Sequence, residues 1–307
     1  MMKTPGPFET NFSDAQRELV GRVEASYTCG ATDPGAYADA FRLAQSIPTN
    51  PTAYSVLLRC VREGSLGLER VISDSMNLCL AMPKSFQSWA YRLSIMSELP
   101  IARALEMHRV DDKQLIDQVL KKDRKNYHAL DYHLSVLSRL VRTEGGSALI
   151  KDARKQFEQH ILDDYKNNSA WAFRLSCLRL QLSVDRSDLE HLIQGEMRFI
   201  QPILELTPRN ASLWDYVKGL HDLAMAAAME ADRQALYDLV CNYSSTDDDA
   251  AISPEAVMVR YLLLPVEERQ LFIPLVQRLV LLDPERSEFW KRAAQRLEQR
   301  EWPRSPE

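Results

Sequence analysis

The chain has 307 residues, 45% of them hydrophobic, and a formal net charge of −5 at neutral pH. That apolar content excludes global disorder, and the acidic balance excludes a general nucleic-acid binder, which needs a basic excess. The length suits one or two ordinary domains, or one extended repeat array. No apolar run is long enough to span a bilayer, and the N-terminus lacks the charged-then-apolar pattern of a signal segment. The five cysteines (Cys29, Cys60, Cys79, Cys177, Cys241) are odd in number, far apart and without a Cys-x-x-Cys. They predict reduced thiols in the cytosol, not a disulfide framework or a zinc site built by this chain. The final residues, Arg304 to Glu307, offer no cysteine for lipidation.

Residues 1–11, with Pro5, Gly6 and Pro7, read as an ill-ordered arm ahead of one domain over 12–302. Helical patterns run from Asp14 to Arg22 and from Ala36 to Gln45, separated by a Gly/Asp/Pro break at Gly30–Gly35. Beyond them one unit recurs: a helical run, a turn at Pro or Asn, then an aromatic or Leu opening a second helix. Asn50-Pro-Thr-Ala-Tyr-Ser-Val-Leu57 opens one unit and Pro83-Lys-Ser-Phe-Gln-Ser-Trp89 the next. Lys125-Asn-Tyr-His-Ala-Leu130, Lys166-Asn-Asn-Ser-Ala-Trp171 and Pro208-Arg-Asn-Ala-Ser-Leu-Trp214 follow. Their last residues stand 32, 41, 41 and 43 positions apart, and Trp290 lies 76 beyond Trp214, close to two more units. A period of about 40 residues is too long for tetratricopeptide repeats and suits stacked helical hairpins.

Nothing alternates like a strand between hairpin turns. The predicted fold is therefore all-α, a right-handed superhelix of helical hairpins. Trp89, Trp171 and Trp214 are expected in its core, since apolar stripes such as Leu175, Leu178 and Leu182 run on from them. Thr143–Ser147 reads as a turn, 242–250 as a solvated acidic loop, and Pro202 and Pro274 as kinks or helix restarts.

Residues 121–140 carry the chemistry. Leu130, Leu134, Leu137 and Val141 form the stripe of an amphipathic helix, and Asn126 is placed to cap it. Lys125, Tyr127 and His128 then stand together at the helix start, where an ammonium, a phenol and an imidazole could meet an anion. A lysine inside Lys-Asp-Arg-Lys is ordinarily solvated surface, and Tyr127 could equally be a packing residue like Tyr54 and Phe86 in their repeats.

The recurring Asn-Tyr-x-x-Trp-x-x-Arg pattern resembles the protein prenyltransferase alpha subunit over roughly residues 40–300. Lys125-Asn-Tyr-His-Ala, Lys166-Asn-Asn-Ser-Ala-Trp-Ala-Phe-Arg174 and Arg209-Asn-Ala-Ser-Leu-Trp-Asp-Tyr-Val-Lys-Gly219 resemble its successive repeats in order, and Asp283–Arg292 is similar to its closing helix. The order favours the subunit shared by farnesyltransferase and type I geranylgeranyltransferase over the Rab enzyme's alpha subunit. A repeat scaffold that has lost catalysis is the non-enzyme alternative. The family's Trp is Leu at Leu57 and Leu130; its arginine survives as Arg92 and Arg174 but becomes Cys60 and His133; its second Asn-Tyr is Ser85-Phe86.

The resemblance implies a crescent of hairpins wrapped around a beta subunit that holds zinc, with magnesium an open option, and most of the isoprenoid pocket. No cofactor is expected on this chain, which shows no clustered Cys, His and Asp ligands. The implied reaction moves a farnesyl or geranylgeranyl group from its diphosphate to a C-terminal CaaX cysteine, in the cytoplasm. The alpha subunit's lysine on the diphosphate matches Lys125, and its nearby tyrosine matches Tyr127. His128 and Gln87 are candidates for holding the peptide carboxylate. Asn167 reads as a helix cap, or as a residue facing the partner's active site.

Overall fold

The computed structural model describes residues 12–245, 252–264 and 272–298; the N-terminal arm and the C-terminal Arg304–Glu307 lie outside them. Among the described residues every regular element is helical. In order these are α1 (Asp14–Cys29), α2 (Pro34–Ser46), α3 (Pro51–Arg62), α4 (Leu68–Ala81), α5 (Phe86–Glu98), α6 (Ile101–Met107), a π-helical turn (His108–Asp112), α7 (Lys113–Lys122), α8 (Tyr127–Leu140) and α9 (Gly146–Asp163). There follow α10 (Asn168–Leu182), α11 (Leu189–Leu206), α12 (Ala211–Ala226), α13 (Glu230–Ser244), α14 (Pro254–Leu263), α15 (Ile273–Leu282), a 3₁₀ turn (Pro284–Arg286) and α16 (Ser287–Glu298). They gather into two compact units, Met1–Ile150 and Lys151–Glu307.

One device starts the second helix of each hairpin. Asn50, Ser85, Asn126, Asn167 and Asn210 are N-caps whose side-chain oxygen accepts the N–H three residues on, at Ala53 (3.0 Å), Ser88 (3.4 Å), Ala129 (3.0 Å), Ala170 (3.2 Å) and Leu213 (3.4 Å). Ser253 does the same for α14, through Ala256 at 3.2 Å. Such a cap satisfies one of the four N–H groups that a helix start leaves without a partner.

The caps also join neighbouring repeats. The Pro83 carbonyl accepts the Trp89 indole N–H (2.9 Å) and the Asn126 amide (3.1 Å). Tyr165 repeats the arrangement, accepting Trp171 (2.8 Å) and Asn210 (2.6 Å). Both lone pairs of one carbonyl are thus used, one within a repeat and one by the next. Ser85 does the amide's job with its hydroxyl, donating to Pro48 at 3.2 Å while capping α5.

The caps fix the register of the repeats, and they correct the first unit. The position four residues after the cap is Tyr54, Trp89, Leu130, Trp171 and Trp214. Tyr54, not Leu57, therefore stands in the Trp place, and Leu57, not Cys60, in the arginine place. The caps from Asn50 to Asn210 are 35, 41, 41 and 43 residues apart, and Ser253 adds a further 43.

Three of the tryptophans are buried as expected, Trp89 at 3% exposure and Trp171 and Trp214 at 1%. Trp290 is buried too, its indole donating to Asp283 at 2.8 Å. Leu175, Leu178 and Leu182 line the core below Trp171. Leu175 packs so tightly on Gly219 of α12 that a Cβ there would lie 2.3 Å from it.

Buried ion pairs add a second kind of join. Arg92 reaches Asp112 with Nε (2.8 Å) and Nη2 (2.7 Å), and the Tyr132 hydroxyl donates to the same carboxylate at 2.8 Å. The other Arg92 nitrogen donates to the Ile72 carbonyl and the Ser75 hydroxyl. In the second unit Arg174 forks onto Glu196 (2.7 and 3.0 Å), and Tyr216 donates to Glu196 at 2.6 Å. Each arginine lies seven residues after its own cap and each tyrosine six after the next one, so both pairs bridge two repeats. Removing one partner from such a pair strands a buried charge.

Some expected boundaries move. The first helix runs on to Cys29, and Gly35 lies inside α2, after the Asp33 cap. The turn after α8 ends at Gly145, whose φ of +81° suits glycine, and Gly146–Ser147 open α9. Val141, the last member of the predicted α8 stripe, follows the helix as its C-cap. Residues 242–244, expected in a loop, are the last turn of α13, while 246–250 lie outside the described residues. Pro202 does not restart a helix; α11 continues through it. Pro274 sits in the first turn of α15, where its missing N–H costs nothing.

Candidate functional site

The site is assembled at the start of α8, within the first unit. Asn126 is 2% exposed, and its two bonds, to Ala129 N–H and the Pro83 carbonyl, hold the turn Asp123–Asn126 against the preceding repeat. Asp123 steadies the same turn by accepting the Lys125 backbone N–H at 3.2 Å. Lys125 and Tyr127, on either side of this anchored cap, are both exposed. Tyr127 is 68% exposed, so it is not the packing residue that its place in the repeat allowed. Its ring lies on the half-buried His128 imidazole, with centroids 4.0 Å apart. Among the described residues no carboxylate forms an ion pair with the Lys125 ammonium. A free ammonium beside the N-terminal end of a 14-residue helix is an arrangement that favours an anion.

His128 also borders a cavity of about 380 Å³. Trp89, Leu93 and Tyr132 give it an apolar floor, and Phe86, 65% exposed, stands at its edge. Charged groups reach it from three helices: Arg62 of α3, Glu98 of α5 and Asp131 of α8. Arg62 is engaged with Glu98 at 2.7 Å. Asp131 is exposed and pairs with no cation among the described residues.

The structure separates the remaining candidates. Gln87 is half-buried in the first turn of α5, next to Phe86, with its Oε1 3.4 Å from the Ser85 hydroxyl oxygen. Asn167 is 0% exposed and serves as the α10 cap, so it offers no surface to a partner's site. The cavity is not among the features that the sequence predicts. Its signal is that α5 is apolar on two faces: Tyr91 and Ile95 point into the core, Phe86, Ala90 and Leu93 away from it. A helix apolar on both sides reads simply as a buried one.

Behind the site lies a buried titratable cluster. His108, Asp112 and His133 are all within the core, with His108 Nδ1 3.6 Å from Asp112 and the two imidazoles 5.3 Å apart. Burial acts to raise the Asp112 pKa, but His108, Arg92 and Tyr132 more than offset this and hold it below the usual carboxylate range. Burial, then His108, pushes His133 down to about 3. The π-helical turn aims both His108 and Asp112 inward while leaving Arg109 and Val110 exposed. Among the described residues no group of three His, Cys, Asp or Glu stands where it could hold a metal ion, and no helix is long and apolar enough to cross a membrane.

No family model and no curated protein matches the sequence. Among solved structures the chain is similar to one described as Candida albicans protein geranylgeranyltransferase-I complexed with GGPP. The TM-score is 0.72 over 97% of this chain and 95% of that one, at 18% identity. A likeness at that identity establishes the fold, and it is the all-α hairpin-repeat fold that the sequence predicts.

Proposed function

We propose that the chain is the alpha subunit of a heterodimeric protein prenyltransferase. The observation that carries this reading is the pair Lys125 and Tyr127, presented at the surface from a cap that is itself locked to the preceding repeat. The likeness to a prenyltransferase complexed with GGPP supports it. The partner is a beta subunit, the donor an isoprenoid diphosphate carrying a farnesyl or geranylgeranyl group, and the acceptor a C-terminal CaaX cysteine of a substrate protein.

In the transfer, the prenyl carbon–oxygen bond breaks with its electron pair leaving on diphosphate. The carbon–sulfur bond forms from the cysteine sulfur, whose proton is released to solvent. Charge builds on the departing oxygens, and a fixed ammonium stabilises it most where it develops. Lys125 supplies that ammonium and Tyr127 a hydroxyl beside it, while His128 stays available to an acceptor's carboxylate. Among the described residues no group of three ligands is placed to hold a metal ion; metal chemistry is proposed for the beta subunit, and no step here runs through it.

The Rab enzyme's alpha subunit and a non-catalytic scaffold are the competing readings. The departures that keep the scaffold reading open, Leu57, Cys60, Leu130 and His133, are all buried. They are core positions, and none of them is one of the exposed residues of the site.

The test is single-turnover transfer by the reconstituted heterodimer. Lys125→Ala removes a charge-assisted hydrogen bond of roughly 1.5–3 kcal/mol, a loss of about 10- to 150-fold in the chemical step. Isoprenoid affinity falls less, because only the transition-state surplus is lost. Lys121→Ala and Lys122→Ala, on the exposed end of α7, stay within about twofold. A Lys125 variant that behaves like these controls rules out the catalytic role.

A further inference from the structure

The cavity beside α8 has a chemistry of its own, and the proposed transfer draws on only one of its lining residues, His128. Its floor is apolar, yet its rim holds two carboxylates against one guanidinium, and that guanidinium is committed to Glu98. Asp131 is left as an exposed negative charge in the lining, to which α5 contributes the exposed aromatic ring of Phe86. An aliphatic occupant would bury the floor but strand the Asp131 charge on losing its water. An acidic occupant would meet like charge. A long cationic side chain fits both parts, its methylene stem on Trp89 and Leu93 and its head at Asp131. The exposed Phe86 ring suits a guanidinium as well.

We infer that this cavity is a docking socket for an arginine- or lysine-bearing segment of the partner subunit, with Asp131 as the charge that selects it. This rests on the reading of the chain as half of a heterodimer, and it makes the α5/α8 face part of the contact. Exposed aromatics around a desolvated pocket are the usual centre of binding energy at such contacts.

The test uses the full chain, kept dilute enough to stay monomeric, and three short peptides: acetyl-Leu-Arg-Leu-amide and its citrulline and glutamate counterparts. Binding is followed by NMR at the Trp89 indole N–H. Its resonance is assigned from the spectrum of Trp89→Phe. The arginine peptide is expected to shift that resonance and to bind about tenfold more tightly than the citrulline one, with a preference that weakens as salt is added. Asp131→Asn removes the preference, and Asp131→Arg transfers it to the glutamate peptide. Asp131 is exposed, so neither variant threatens folding.

Three results overturn the inference: no shift at Trp89, equal binding of the three peptides, or an arginine preference that survives Asp131→Asn. Self-association of the free chain that disappears in Asp131→Arg also overturns it, since the occupant would then be a second copy. The peptide assay needs no turnover, so its outcome is independent of the Lys125 result.

Discussion

His133 takes the position that Arg92 and Arg174 hold in their repeats, and the exchange turns an always-charged group into a neutral one. Buried beside His108, its imidazole is pushed down to about 3, whereas in the unfolded chain it titrates near 6.5. Below about pH 6.5 the unfolded state therefore binds a proton that the folded state refuses, and stability falls with pH until about 3. At pH 5 the contribution is at most about 2 kcal/mol. Replacing His133 by Gln should flatten the loss, which urea midpoints at pH 7.5 and pH 5.0 would show directly; unchanged slopes in wild type and variant would mean another group sets the acid limit. Asp112 works in a lower window, because its depressed pKa contributes stability that is lost only as the carboxylate protonates. The spacing of residues shows that position 133 departs from its repeat. It cannot show whether the imidazole faces water or core, because that depends on the π-helical turn that delivers His108 and Asp112 to it.

At the scale of the element, the helix-start cap does two jobs at once, and the two can be separated by substitution. Asn126→Ala removes both the cap to Ala129 and the amide bond to Pro83, and should cost roughly 1–3 kcal/mol. Asn126→Ser should recover much of that. Ser85, the natural serine at the equivalent place, both accepts from Ser88 and donates to Pro48. Thermal or urea unfolding ranks the variants, and a serine no better than alanine would break the equivalence between the repeats. Tyr132→Phe probes the other join, removing one donor from the buried Asp112, with an expected cost of about 1–3 kcal/mol. The caps are readable in sequence, since Asn ahead of an apolar run has a short list of physical meanings. The register of the first repeat is not, because Tyr54 and Leu57 both sit on the apolar face, and only the hydrogen bonds of Asn50 tell which one follows the cap by four. The Arg–acid–Tyr joins are not legible at all. Their acid is set 20 residues after Arg92 but 22 after Arg174, so no single spacing marks it.

For the whole molecule, the hairpin-repeat fold is legible because its period survives even where individual tryptophans and arginines do not. The chemistry of the proposed site is legible only around Lys125, where the residue types depart from what packing requires. Exposed apolar side chains remain in both units, Phe86, Val110 and Tyr127 in the first and Leu206, Met225 and Leu281 in the second, and large apolar groups left on a surface mark contact sites. Expressed alone, the chain should self-associate or stay poorly soluble, and co-expression with its beta subunit should yield a 1:1 complex by light scattering. Metal content of the same samples separates the roles of the two chains. The five cysteines are free thiols, three of them buried, and burial pushes Cys79 and Cys177 up to about 12, away from the thiolate that zinc requires. The purified chain should therefore carry no stoichiometric zinc, and the complex should carry one ion through its partner. Tight zinc on the isolated chain would reverse that division. A monodisperse monomer indifferent to every prenyltransferase beta subunit would instead favour the scaffold, with Lys125 as ordinary surface.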